Sequence, residues 1–317
     1  MSLIRQAQTA GADQELRYPK IMLYGAPGVA KTVTALFIAK TLGIKCIALD
    51  GDAGAEAYLS DPDWAGCFAA TVSSDPVEVC RAMDDLLLDP QGYSLLLIDS
   101  VSSMWRAGEY GVDAAARRNN PKKVNLSEYE SAWDLSLWNP TKRLAWQIAN
   151  NIKRLKMAII CTARESNKWS EGRVVGIKPE GDQQIGHEFD IVARLSQYAP
   201  NSPRVAEVEK DRLHRLPLRV EGAPDNPFFF ATALLEAYGP EFRMTATANP
   251  RCSNEQVEKL YHLQGTILST HPEVKHAQLL DWVRQAFQAD TYEDLSPDQA
   301  SSAISTLTAR LGQEPSQ

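Results

Sequence analysis

The chain has 317 residues, 44% hydrophobic and 23% charged, which suits one large domain with a smaller one and excludes a disordered or fibrous chain. A net charge of −7 and a pI near 5.4 exclude a uniformly basic surface, although a local cationic patch still acts alone where salt screens charge over about 8 Å. The five cysteines form no C-x-x-C pair, Met1 to Tyr18 is polar, and no run has the length of a membrane span, so we expect a reducing, cytoplasmic setting with no zinc site and no membrane.

In chain order, residues 1–18 are a polar lead-in. The apolar run Ile21 to Tyr24 predicts a strand, and Val33 to Leu42 a helix. Lys45 to Leu49 predicts a second strand, Asp61 to Trp64 a turn, and Asp75 to Leu88 an amphipathic helix with Pro76 in its first turn. Ser94 to Ile98 is an apolar strand of the kind buried in parallel sheets. Residues 106–130 show no period. Trp133 to Leu155 reads as helical with a break at Pro140, and Met157 to Thr162 as another buried strand. Residues 165–186 give no secondary-structure signal, while Ile191 to Leu195 and Val205 to Val208 predict strands. This β-α alternation predicts a doubly wound α/β domain over residues 19–220. Residues 221–250 hold four prolines and read as a linker with one short helix. Residues 251–317 read as a helical module, with capping boxes at Ser253–Gln256 and Ser296–Gln299 and three apolar stripes.

Between the first strand and helix lies Gly25-Ala26-Pro27-Gly28-Val29-Ala30-Lys31-Thr32, the spacing of a P-loop. Its backbone N–H groups and the helix start, through Val33, are expected to cradle the phosphates of ATP; Lys31 supplies a point charge and the Thr32 hydroxyl a ligand for Mg²⁺. Ala30 stands where the pattern has Gly. Asp99, closing Leu95-Leu96-Leu97-Ile98, has the form of a Walker B carboxylate and is the second expected Mg²⁺ ligand, at the carboxyl end of a buried strand expected beside the P-loop.

Asp50 and Asp52 follow the second strand and share parity, so they face one side if the extended run continues. With these residues the chain resembles the RecA-like ATPase core, which implies that Asp52 serves as the hydrolytic base, in a place where the family has Glu. Taken alone, Asp52 reads equally as a solvated turn acid. The same resemblance implies that Arg164, after Ala158 to Ala163, senses the γ-phosphate. It also implies that Lys210 and Arg212 of Val208-Glu209-Lys210-Asp211-Arg212 reach the γ-phosphate on a neighbouring subunit; without it they are strand-end charges.

Two regions match the places where RecA-like proteins hold DNA. One contains Arg117, Arg118, Lys122 and Lys123; the other contains Lys168, Trp169, Arg173 and Lys178. Cations can track phosphates and an aromatic can stack on any base, although such runs are also ordinary solvated faces.

The chain as a whole resembles the Sak-type single-strand annealing proteins of bacteriophages, which are short RecA-like P-loop ATPases. The similarity rests on YGAPGVAKT, LLLIDS, Lys178-Pro179-Glu180, Glu188 to Leu195 and Glu209 to Arg212. It implies ATP hydrolysis with Mg²⁺, binding of single-stranded DNA, annealing or strand exchange, and a homo-oligomer, ring or filament, with ATP at subunit interfaces. It further implies a single-strand-binding protein as partner and a place in the host cytoplasm. The tail from Asn249, with nine acidic and five basic residues, then reads as a partner or assembly module. The alternative is a KaiC-like or loader-like nucleotide-gated regulator acting on a protein; a metabolic kinase has no substrate-pocket signature to support it.

Overall fold

The computed structural model describes residues 17–119, 139–181, 183–246, 252–271, 273–287, 289, 291–292 and 295–311. The elements run β1 (Lys20–Gly25), α1 (Lys31–Leu42), β2 (Cys46–Asp50), two 3-10 turns (Glu56–Tyr58 and Pro62–Trp64), β3 (Phe68–Val72), α2 (Pro76–Leu88), β4 (Leu95–Asp99), α3 (Val101–Asn119) and α4 (Asn139–Arg154). They continue with β5 (Ala158–Ala163), β6 (Glu165–Ser170), β7 (Arg173–Pro179), α5 (Gln183–His187), β8 (Ile191–Gln197), β9 (Arg204–Asp211), β10 (Arg219–Gly222), α6 (Phe229–Phe242), α7 (Asn254–Thr270), α8 (His276–Phe287) and α9 (Pro297–Leu311).

Eight strands form one sheet in the order β10-β9-β8-β1-β5-β4-β2-β3. All pairings from β8 to β3 are parallel, and β9 and β10 extend the β8 edge antiparallel. Side chains alternate across each strand, so Ile21 and Leu23 of β1 enter one core with α1 and α6, while Met22 and Tyr24 enter another with α2, α3 and α4. A doubly wound α/β architecture with a mostly parallel sheet and C-terminal helices is therefore present. Asp75 caps α2 by accepting from the Val77 N–H at 2.8 Å, with Pro76 in the first turn.

A third core gathers α7, α8 and α9 around Leu260, Val283, Tyr292 and Leu307. Both capping boxes form there: Ser253 with Gln256, and Ser296 with Gln299 at 2.8 and 3.2 Å. This module touches α4, where Gln147 donates to Glu258 at 3.0 Å and the Arg154 guanidinium donates to the Cys252 carbonyl.

Several expectations need correction. Residues 165–179 are a β-hairpin rather than an unstructured loop, and residues 101–119 are helical. Pro140 sits in the first turn of α4, where its missing N–H breaks no helical bond, while the expected helical residues 133–138 before it lie outside the described residues. The span 221–250 contains a 14-residue helix whose Phe230, Leu234 and Phe242 are fully buried against α1 and the sheet, more than a short helix in a connection. The lead-in through residue 16 lies outside the described residues.

Candidate nucleotide site

The P-loop bends between β1 and α1 through left-handed backbone at Gly28 (φ 79°) and Ala30 (φ 77°). Gly25 must be glycine on two counts: its φ is 149°, and a Cβ there would stand 2.1 Å from the Leu195 carbonyl oxygen of β8. Ala30 is the N-cap of α1 and offers no side-chain acceptor, which leaves the first N–H groups of the helix to an anion. The Lys31 ammonium folds back to donate to the carbonyls of Gly25 (2.9 Å) and Ala26 (2.7 Å). Burial holds its pKa below the ordinary lysine value, against the pull of Asp99 and Asp52.

Asp99 closes β4 and is 4% exposed. In the sheet, β5 lies between β1 and β4 and takes part in the site. Thr32 donates to Asp99 Oδ2 at 2.6 Å, and Thr162 of β5 donates to Oδ1. Burial pushes the Asp99 carboxyl above its ordinary range, and these two hydroxyls oppose the shift. A hydroxyl and a carboxylate side by side form the oxygen donor set of a hard cation that takes its other ligands from phosphate and water. A Cβ on Gly54 would meet Asp99 Oδ2 at 3.2 Å and Thr32 Oγ1 at 3.7 Å, so glycine keeps that flank clear. These residues fit Mg²⁺.

Asp50 and Asp52 part company. The extended run stops at Asp50, whose carboxylate is fully buried and accepts from the N–H groups of Gly54 (3.0 Å), Ala55 (2.8 Å) and Glu56 (2.9 Å). It holds a loop in shape. Asp52 instead faces Ser100, whose hydroxyl donates at 2.8 Å, and Arg164, whose guanidinium donates at 2.8 Å.

Residues 17–214 match the family model described as an AAA domain, well over half of the chain. The chain belongs to the AAA domain family. No curated protein matches it. Among solved structures, the RadB recombinase is 18% identical over 67% of this chain and 90% of its own, with a TM-score of 0.42. A unique ATP synthase subunit, NeqB from Nanoarcheaum equitans, is 12% identical over 94% of this chain and 72% of its own, with a TM-score of 0.37.

Beyond the P-loop, this AAA domain ties Arg164 to the hairpin. The Arg164 N–H donates to Ser102 Oγ at 2.9 Å, Ser102 Oγ donates to the Glu180 carbonyl at 2.8 Å, and the Glu180 N–H donates to the Arg164 carbonyl at 2.8 Å. Arg106 of α3 then grips both oxygens of the Glu180 carboxylate with three bonds at 2.8, 2.9 and 3.0 Å. Both feet of the β6–β7 hairpin are thus fastened to α3, next to the Arg164 whose guanidinium meets Asp52.

The hairpin carries Lys168, Trp169 (63% exposed), Arg173 and Lys178, and it pairs only with itself among the described residues. Under it lies a cleft of about 770 Å³, floored by Met22, Val101, Ile185 and Val192 and rimmed by Lys168, Lys178, His187 and Lys210. In the other expected DNA region, Arg117 and Arg118 fall in the last turn of α3, while Lys122 and Lys123 lie outside the described residues.

Lys210 and Arg212 are not brought to the P-loop of their own chain. Lys210 pairs with Val192, which pairs with Met22, and Arg212 donates to Asp190 at 3.1 Å beside Lys20, at the start of β1. Three to five residues of strand, roughly 10–17 Å, separate those levels from Gly25. Both cations are parked on the His187 carbonyl, at 3.2 and 3.0 Å. Sequence reasoning missed Thr162, Ser100 and Ser102. A lone hydroxyl in an apolar strand, or in a serine pair after it, carries no pattern of its own.

Proposed function

We propose that this AAA domain is an ATP-hydrolysing recombination protein that binds single-stranded DNA and promotes annealing or strand exchange. The observation that carries the reading is the connection from Asp52 through Arg164, Ser102 and Glu180 to a hairpin bearing Lys168, Trp169 and Lys178. It puts the acid at the phosphate end of the site and the exposed aromatic on two ends of one hydrogen-bonded path.

In this reading Lys31 exchanges its two carbonyls for the β- and γ-phosphates. Mg²⁺, when bound, supplies charge neutralisation at those phosphates, with Thr32 and Asp99 as its protein ligands. Asp52 orients the attacking water and takes its proton, and Arg164 turns to the γ-phosphate. Lys210 and Arg212 serve a neighbouring copy, a role supported by their distance from their own P-loop. The hairpin holds DNA by phosphate contacts at Lys168, Arg173 and Lys178 and by stacking at Trp169.

A nucleotide-gated regulator acting on a protein is the second reading, favoured by the exposed Val174 and Val175 on the same hairpin. ATP hydrolysis with and without single-stranded DNA, at two salt concentrations, separates them. Stimulation by DNA that weakens with salt and is lost in Trp169→Ala is expected. Hydrolysis indifferent to DNA favours the regulator, and Lys31→Ala with unchanged ATP affinity overturns the nucleotide site itself.

A further inference from the structure

Arg204 opens β9 at the P-loop end of the sheet: it pairs with Gln197, two residues beyond the Leu195 that pairs with Gly25. Its Nε donates to the Pro224 carbonyl at 3.0 Å, and its Nη1 reaches the Gly28 carbonyl, at the bend of the P-loop, at 3.4 Å. Gln197 donates to the same Pro224 carbonyl at 3.1 Å. Just after this turn, Phe228 stacks on Phe37 of α1 with ring centroids 4.2 Å apart. The turn after β10 is therefore fixed beside the P-loop from three directions, and the cation that joins the two makes no ion pair among the described residues.

The strand order assigns this cation to one half of the ligand. Asp99, Asp52 and Arg164 stand at the ends of β4, β2 and β5, on one side of β1, and β8, β9 and β10 lie on the other. A nucleotide whose terminal phosphate points to Asp99 leads its ribose and base away from that side, toward β8–β10. We infer that Arg204 recognises the nucleobase, with its guanidinium plane stacked on the ring. Two carbonyls hold the guanidinium by its edges and fix its plane, which leaves a face for a π system. Stacking reads ring size more than ring substituents, so purine triphosphates bind ahead of pyrimidine ones, with little discrimination between adenine and guanine.

This inference rests on the nucleotide-site reading, and the test separates the two. Binding of ATP and of inorganic tripolyphosphate, each with Mg²⁺, is measured by calorimetry for the wild type, Arg204→Ala and Arg204→Lys. Arg204→Ala is expected to weaken ATP about tenfold while leaving tripolyphosphate, which has no base, within about twofold; that retained binding also shows the variant is folded. Arg204→Lys, with the charge but no plane, is expected to behave like Arg204→Ala. Equal loss of both ligands, rescue by lysine, or unchanged ATP affinity each overturns base stacking by Arg204. Failure of the wild type to bind either ligand overturns the nucleotide site, and this inference with it.

Discussion

Arg164 donates to Asp52 at 2.8 Å, while Ser100 engages the other Asp52 oxygen at 2.8 Å. An acid held by both oxygens is poorly placed to take a proton from water until the guanidinium leaves. Asp52→Asn is expected to lower kcat by about a hundredfold or more, with ATP affinity nearly unchanged, because in the proposed mechanism the group acts on water and not on the bound nucleotide. Arg164→Ala is expected to lower kcat as well and to remove the stimulation by DNA. Steady-state hydrolysis beside fluorescent-nucleotide titration checks both, and full turnover by Asp52→Asn would remove Asp52 from the chemistry.

Asp99 gives a prediction in stability. Its folded pKa is raised by burial, so the folded chain holds that proton more tightly than the unfolded chain does. The resulting contribution is fully present below the unfolded value of about 3.9, and is lost as pH rises through the folded value. At neutral pH the buried charge therefore destabilises the ligand-free chain. Asp99→Asn is expected to melt at a higher temperature than the wild type without nucleotide, and to lose the further rise that Mg²⁺ with ATP gives the wild type. Thermal melts with and without Mg²⁺ and ATP measure both effects; a lower ligand-free Tm for Asp99→Asn contradicts the argument.

At Ala30, φ is 77°, a region that costs a residue with a Cβ about 1–2 kcal/mol. Glycine removes that cost but adds freedom to the unfolded chain worth about 0.4–1 kcal/mol. Ala30→Gly should thus stabilise by about 0.5–1 kcal/mol. Urea denaturation should show a higher midpoint at unchanged slope. Ala30→Val, β-branched at the same φ, should show a lower one.

Lys20 supplies a pH signature. Its ammonium donates to the carbonyls of Leu155 (2.6 Å) and Met157 (2.8 Å), and burial lowers its pKa from 10.5 to about 7. Between those two values the unfolded chain binds more protons than the folded one, so this residue makes stability rise with pH across that window and adds nothing beyond it. Urea midpoints at pH 7, 8 and 9 should climb more steeply in the wild type than in Lys20→Met. Equal slopes in the two proteins would show that Lys20 is not the source.

Lys210 and Arg212 call for a mixing experiment. A Lys31→Ala chain keeps both cations, and a chain with Lys210→Ala and Arg212→Ala keeps the P-loop lysine. Each alone is expected to be nearly inactive. An equimolar mixture should regain activity at about a quarter of its interfaces, the fraction that unites a sound P-loop with sound cations. A mixture no more active than its components would show that the cations do not act between chains.

The P-loop and Asp99 were legible because each joins a chemical residue to an apolar strand. Thr162 was not, since its hydroxyl gains meaning only when β5 inserts between β1 and β4. Parity suggested that Asp50 and Asp52 face together, but the bond from the Asp52 N–H to the Asp99 carbonyl, at 3.2 Å, belongs to a turn that ends the extended run. The hairpin at 165–179 escaped notice because most of its residues are exposed, which removes the alternation that burial imprints on a strand. Helix α6 was read as a short piece of a linker because Pro240 and its neighbouring prolines suggested a chain break, while its aromatic residues were filling the core beside α1.

The level at which Lys210 and Arg212 sit gives the chain a polarity. In the proposed reading one end of the sheet receives a nucleotide and the other carries cations lent to a neighbour, so an assembly joining them would run head to tail and have two unlike ends. An open row would always contain one acceptor without a donor, at a terminus, whereas a closed row would contain none. In an open assembly, short oligomers would then carry the largest share of incomplete centres, and turnover per chain would climb with protein concentration as the rows lengthen; in a closed one it would jump to its plateau when the last gap is filled.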